Sequence, residues 1–286
     1  MSLTSRRIGR TEVHPVGLGL AAMSFDHADD PGRAAAAITA AVEAGMGLLD
    51  TAYAYTTATG DNHNERLVAR SLRDLPPADR PLISTKGGHY RGGDSFPIDG
   101  RRETLRRHCE HSLRALRIER IDLYHLHWPD PLVPISESVG TLAELQHEGK
   151  INLIGVSNVD LAQLTSAQQE AGVAAVQNPY SLFHPGDREV LAHCERQDIA
   201  FLAYSPLGGI TAAAPSLTRA LAKLAAHYEA TTTQVALAWL LARSPSVIAV
   251  TGATRPETVR NSAATTRITM EQEHLDMLSH LTTCSA

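Results

Sequence analysis

The sequence predicts one closed barrel of eight parallel β-strands, each followed by a helix, an α/β fold of the (β/α)8 type. Three observations predict it. Eight short runs rich in Leu, Ile and Val recur along the chain, segments of helical spacing separate them, and no Pro/Gly/Ser linker or shift of composition divides the 286 residues. That length would also accommodate two domains, and a doubly wound open sheet would share the alternation; the count of eight units favours a single closed domain over residues 1–286.

The elements follow in order. Arg6-Arg7-Ile8 and Glu12-Val13-His14 flank Gly9-Arg10, a pattern that predicts a small hairpin turning at Gly9 and plugging the barrel floor. The strands are then Val16 to Leu20, Leu48 to Thr51, Leu82 to Lys86, Ile121 to His125, Leu153 to Ser157, Ala174 to Gln177, Ala200 to Tyr204 and Val247 to Val250. Between them, Leu105, Cys109, Ser112, Leu113 and Leu116 share one helical face, as do Ile38, Ala41 and Val42, Leu142 and Leu145, and Val235, Ala238, Leu241 and Ala242. Two helices, Thr233 to Ala242 and Glu271 to Leu281, are extra to the eight units.

Charge and cysteine content narrow the function classes. With 26 Lys+Arg against 31 Asp+Glu, the formal charge of −5 gives no basic footprint for nucleic acid or an anionic membrane, so a small-molecule partner is expected. Cys109, Cys194 and Cys284 are too few and too scattered for a disulfide framework, which fits a reducing, cytoplasmic setting. Neither a signal-type apolar region nor a membrane-spanning run is present in the sequence.

In such barrels chemistry gathers at the carboxyl ends of the strands. Reading those ends in order gives Asp50 with Tyr53 and Tyr55, then Lys86, His127-Trp128-Pro129, Ser157-Asn158, Gln177-Asn178 and Tyr204-Ser205. A tyrosine, a lysine, an aspartate and a histidine on adjacent strands suit proton transfer to a carbonyl. An ammonium beside a phenol favours phenolate, a carboxylate keeps a buried ammonium charged, and a neutral imidazole can hold the carbonyl oxygen as charge develops. No side chain supplies hydride, so a reduction here needs a nicotinamide cofactor.

Several stretches together resemble the aldo-keto reductases over nearly the whole chain. They are Gly45-Met-Gly-Leu-Leu-Asp-Thr-Ala-Tyr-Ala-Tyr55, His111-Ser-Leu-Arg-Ala-Leu-Arg-Ile-Glu-Arg-Ile-Asp-Leu-Tyr-His-Leu-His-Trp-Pro129, Gly149-Lys-Ile-Asn-Leu-Ile-Gly-Val-Ser-Asn158, Val176-Gln-Asn-Pro-Tyr180, Ala203-Tyr-Ser-Pro-Leu-Gly208 and Gly252-Ala-Thr-Arg-Pro-Glu257. The resemblance implies a TIM barrel that binds NADPH without a Rossmann fold and reduces an aldehyde or ketone by direct hydride transfer. It makes Tyr55 the general acid, Lys86 the group that lowers its pKa, Asp50 the partner of Lys86, and His127 the carbonyl-orienting residue, leaving His125 structural. It places Ser157, Asn158 and Gln177 on the nicotinamide carboxamide, Tyr204 on its ring, Ser205, Leu207 and Gly208 along the pyrophosphate, and Gly252, Thr254 and Arg255 at the adenosine. Relatives of the family also include nicotinamide-sensing β subunits of potassium channels, and the same site can run as an alcohol dehydrogenase.

The chain departs from the family pattern at identifiable places. Gly252 stands where many members have Lys, Thr258 where they have Arg, and Asn261-Ser262 where a Glu-Asn pair is common, so Arg255 alone is left for a 2′-phosphate and NADH remains possible beside NADPH. Thr251 replaces a frequent Pro, and Thr56 a frequent Gly after the tyrosine.

Other motifs have plainer readings. Gly17-Leu-Gly-Leu-Ala-Ala22 fits a relaxed dinucleotide fingerprint, but the acidic residue expected about 20 positions on is missing. His108-Cys109 and His193-Cys194 lie in helical segments without a second paired cluster, so no metal is expected there. Phe25 and Trp128, on loops after strands, are expected to line an apolar substrate pocket. The short connection from Gly209 to Ser216 predicts no long lid over the cofactor and fast exchange.

Overall fold

The computed structural model describes residues 5–57, 62–186 and 188–283. Strands β1 (Arg6–Ile8) and β2 (Thr11–Val13) pair antiparallel. Gly9 turns the hairpin at φ +57°, a left-handed conformation that favours glycine. Ile8 is fully buried and packs with Leu48, Leu82, Leu123, Leu202 and Ile248, which face the lower barrel interior. The hairpin is therefore the floor plug the sequence predicts.

Eight parallel strands follow: β3 (Val16–Gly19), β4 (Leu48–Asp50), β5 (Leu82–Gly87), β6 (Ile121–Leu126), β7 (Ile151–Ser157), β8 (Val173–Pro179), β9 (Ala200–Tyr204) and β10 (Val247–Thr251). They close in chain order, with β10 beside β3 and Val250 opposite Gly17. Around them run the four-residue α1 (Ala22–Phe25), then α2 (Pro31–Glu43), α3 (His63–Ser71), α4 (Arg102–Leu116), α5 (Ile135–His147), α6 (Leu161–Glu170), α7 (Arg188–Arg196), α8 (Pro215–His227), α9 (Thr232–Leu241), α10 (Pro256–Ala263) and α11 (Gln272–Thr283). Helix starts carry the expected chemistry: Asp30 caps α2 ahead of Pro31, and the pairs Asp160/Gln163 and Thr231/Gln234 form capping boxes on α6 and α9. On α4, Leu105, Cys109, Ser112 and Leu116 are buried, with Leu113 half-buried beside them.

One element is corrected. From sequence, the segment around Thr233 to Ala242 is expected to be extra to the eight units, with one apolar face. In the structure, every residue of α9 from Gln234 to Leu241 is buried, and the helix packs against β10. Its apolar residues surround it, the signature of a helix covered on all sides. The extra helix in this region is instead α8, which lies against α9; α11, the second helix expected to be extra, packs on α8. Cys109 and Cys194 are buried free thiols; Cys284 lies outside the described residues. Among the described residues no helix is long and apolar enough to cross a membrane.

Candidate active site

Alternation along parallel strands turns every second side chain into the barrel, and this register assembles the polar cluster. Asp50 ends β4 opposite Ser84, and Lys86, two residues on, lies opposite His125 of β6. Lys86 Nζ donates to Asp50 Oδ2 and to the Thr51 carbonyl, both at 2.7 Å, while Ser84 Oγ donates to Asp50 Oδ1 at 2.8 Å. The ammonium lies 5.1 Å from the centroid of the Tyr55 ring. Across from it, the His127 ring stands edge-on to Tyr55 at 5.8 Å between centroids, and its backbone N–H donates to the Gly87 carbonyl at 2.9 Å. The four residues carried over by motif thus meet at one point.

Burial sets the protonation states. The Tyr55 phenol is held above its ordinary range by burial and by the Asp50 carboxylate. Desolvation thus outweighs the pull of the nearby Lys86 ammonium in the free site. Tyr55 is therefore kept as an acid. Burial lowers the Lys86 pKa against the opposing pull of Asp50. His127 is driven well below the usual imidazole range by burial first, then by Lys86 and its neighbouring histidines, so it is neutral and able to donate. His125 faces the interior and is pushed down to about 3 by burial first and then by the Lys86 ammonium. A Cβ on Gly155 would come within 2.3 Å of its Nδ1, so this glycine makes room for the ring.

On the far wall, Ser157 Oγ donates to the Gln177 carbonyl at 2.7 Å, Asn158 Nδ2 donates to the His127 carbonyl at 3.0 Å, and the Tyr204 hydroxyl donates to Asn158 Oδ1 at 2.7 Å. Asn158 and Ser205 are left-handed, at φ +59° and +50°, which bends the backbone towards the opening. Gln177 Nε2 is buried without a partner. An unsatisfied amide donor at that depth suits a ligand carbonyl.

A cavity of about 500 Å³ joins the two walls. It is lined by Tyr55, His127, Ser157, Asn158, Gln177, Tyr204, Ser205, Gly252, Phe25 and Trp128. Leu207 and Gly208 form the turn after Ser205, where the Gly208 N–H donates to the Ser205 carbonyl at 2.8 Å. Thr254 and Arg255 precede α10, and Arg255 pairs with Glu257 at 3.4 Å. The dinucleotide-like Gly17 and Gly19 are wall residues: Cβ atoms there would meet Leu48 at 2.9 Å and Val250 at 3.0 Å. His108 stacks on Tyr53 with 3.7 Å between centroids and His193 bonds Gln168 at 2.7 Å, which are packing roles.

Three residues are not marked by the sequence. Asn64, fully buried on α3, accepts from Thr51 Oγ1 and donates to the Leu20 carbonyl, both at 2.7 Å, pinning the loop that carries Tyr55. Its neighbour Glu65, also fully buried, accepts from Thr85 Oγ1 at 2.8 Å. Two polar residues in the first turn of a wall helix were the available signal. Arg33 Nε reaches the Thr254 carbonyl at 3.4 Å from α2, and nothing local marks it; Asp26, on the loop expected to shape the pocket, lines the cavity.

Comparison with known proteins gives the same assignment. Residues 15–282 match the model of the Aldo/keto reductase family. The chain is 30% identical to pyridoxine 4-dehydrogenase of Escherichia coli K12, over 97% of its own length and 98% of the relative's. It is also 30% identical to the NADH-specific methylglyoxal reductase of the same organism, over 83% of each chain. Among solved structures, an aldo/keto reductase from Klebsiella pneumoniae in complex with NADP and acetate superposes with a TM-score of 0.84 at 29% identity, covering 98% of this chain and 95% of that one.

Proposed function

This chain belongs to the aldo/keto reductase family of oxidoreductases, and from that membership we propose that it reduces a small aldehyde or ketone to the alcohol with NADPH. The observation that carries the reading is the meeting of Tyr55 and His127 at the cavity wall above a fully buried Lys86–Asp50 pair. A nicotinamide dinucleotide, when bound, supplies the hydride. Gln177, Ser157 and Asn158 would hold its carboxamide, Tyr204 its ring, and Ser205 to Gly208 its pyrophosphate; the buried, unpartnered Gln177 Nε2 supports the fit.

The chain's own residues handle the proton. Neutral His127 donates a hydrogen bond to the substrate carbonyl oxygen and fixes its direction. Tyr55 gives its phenolic proton to that oxygen as negative charge develops, and the resulting phenolate sits beside the Lys86 ammonium. Asp50 and the Thr51 carbonyl hold the ammonium in place. Phe25 stands edge-on to Tyr55 at 5.6 Å and to Phe96 at 5.7 Å, so the rim offers aromatic surface to the substrate's apolar part. Arg255 and Arg33 bring two cations to the adenosine end, which supports NADPH, while an NADH-specific relative is reason to assay both.

The test is loss of NADPH or NADH absorbance with 4-nitrobenzaldehyde, pyridoxal and a set of ketones, for wild type and Tyr55→Phe. We expect turnover with NADPH that falls by about 10²- to 10⁴-fold in the variant with cofactor affinity kept. Unchanged turnover in Tyr55→Phe would remove Tyr55 from the reaction.

A further inference from the structure

We propose that the junction of α8 and α11, outside the catalytic cavity, binds one divalent transition-metal ion, zinc in the first instance, through His227, Glu271 and His274. One ring nitrogen from each histidine and a carboxylate oxygen of Glu271 lie within 4.8 Å of one another. His227 Nε2 and Glu271 Oε1 are 3.7 Å apart, close to the roughly 3.4 Å between two ligands of a tetrahedral zinc ion. The two imidazole centroids are 5.1 Å apart.

The ligands come from two elements that meet only in the fold. His227 is the last residue of α8, while Glu271 immediately precedes α11 and His274 stands in its first turn. The spacing of Glu271 and His274 brings both to one side of the helix start. Tyr228 organises the group from behind. Its hydroxyl oxygen accepts from the Glu271 backbone N–H at 3.0 Å and lies 2.6 Å from His274 Nδ1. The same ring stands edge-on to both imidazoles, at 4.7 Å and 5.5 Å between centroids. A hydrogen bond to one nitrogen of a histidine assigns the other to a metal, and such outer partners hold ligand rings in position.

An ion pair alone accounts poorly for this arrangement. His227 and Glu271 side chains are more than half exposed, where a simple pair gains little, and a second imidazole directed to the same point adds nothing to it. Two imidazoles and one carboxylate are instead a donor set for zinc, nickel or copper, whereas magnesium and calcium prefer oxygen ligands throughout. Solvent completes the coordination at so open a site. None of the three residues lines the catalytic cavity, so the bound ion ties α11 to α8 without entering the reaction.

The experiment is calorimetric titration of tag-free, chelator-treated full-length protein with zinc chloride, and separately with magnesium chloride. We expect one saturable zinc site per chain, no magnesium site, and at least tenfold weaker zinc binding in His227→Gln and in His274→Gln. Tyr228→Phe weakens it by about tenfold, the cost of losing an outer partner. Zinc at a hundredfold excess over its Kd raises the wild-type Tm by about 5 °C and leaves that of the His227→Gln variant unchanged. His227 is exposed and its replacement leaves the core intact, so this variant decides even where His274→Gln folds poorly. Absence of a saturable zinc site, or equal affinity and stoichiometry in His227→Gln, would overturn the proposal.

Discussion

At the catalytic end of the cavity Lys86 and Asp50 are buried to 0% and 3% and paired at 2.7 Å, whereas at the adenosine end Arg255 is 63% exposed and stands 3.4 Å from Glu257. The buried pair is desolvated, so each partner is needed to offset the other's burial, and Thr51 and Ser84 supply the remaining hydrogen bonds. The exposed pair is screened by water and contributes little to stability. Under the proposed function, the charge assigned to chemistry is locked into the barrel wall, while the charge assigned to cofactor selection sits on a rim that can change at small cost.

The largest break in that contrast is Lys86→Met. It leaves the Asp50 carboxylate buried and unpaired, and removal of one partner of a buried pair costs about 3–5 kcal/mol. Chemical denaturation should show that loss, and stopped-flow reduction should show at least a hundredfold drop in turnover by whatever fraction stays folded. A stability change under about 1 kcal/mol would mean that Asp50 is solvated or paired elsewhere.

Next comes Gly155→Ala, aimed at the interior beneath the site. The new Cβ would meet His125, which is fully buried, so overpacking should cost about 1–3 kcal/mol, read as a lower Tm. Gly155→Ala combined with His125→Ala should recover part of the loss.

The pH profile of kcat/KM sharpens the comparison further. The proposed reduction needs Tyr55 protonated and His127 neutral; burial raises the first pKa and lowers the second, so both requirements hold across neutrality. The expected profile is flat across neutrality, without an acidic limb near the ordinary imidazole pKa of about 6.5. On the alkaline side Lys86, lowered by burial, loses its proton before a free lysine would, and activity falls. An acidic limb near the ordinary imidazole pKa would show His127 titrating in solvent.

The smallest effect is expected at the adenosine end, from Gly252→Lys. A Cβ there meets nothing within 4 Å and the backbone is not left-handed, so the side chain fits without strain. The added cation should tighten NADPH by about three- to tenfold, or about 0.6–1.4 kcal/mol, with little change for NADH. Equal tightening of both cofactors in fluorescence titrations would place the lysine away from the 2′-phosphate.

Much of this was legible in the sequence because it is local. Each strand announces itself by a short apolar run, and Asp50, Lys86, Ser157 and Gln177 stand within two residues of strand ends, so their inward direction follows from the count of residues along the strand. The hairpin was readable from Gly9, whose left-handed backbone the turn requires. Helix α9 was misplaced because an apolar stripe is visible in a sequence while the number of neighbours covering the helix is not. The sign of the Tyr55 shift was likewise out of reach, since it depends first on how deeply the fold buries the phenol and then on how near it brings Asp50.

By itself, then, the chain determined the eight-unit barrel, its floor plug, and which residue types stand at the catalytic rim, since these rest on periodicity and position within single elements. Tertiary structure alone decided what the rim is worth chemically. It buried Lys86 against Asp50, brought Arg33 to Thr254 across 221 residues, and set His227 beside Glu271 and His274. Desolvation and charge pairing depend on distances through space, and a chain acquires those only when it closes on itself.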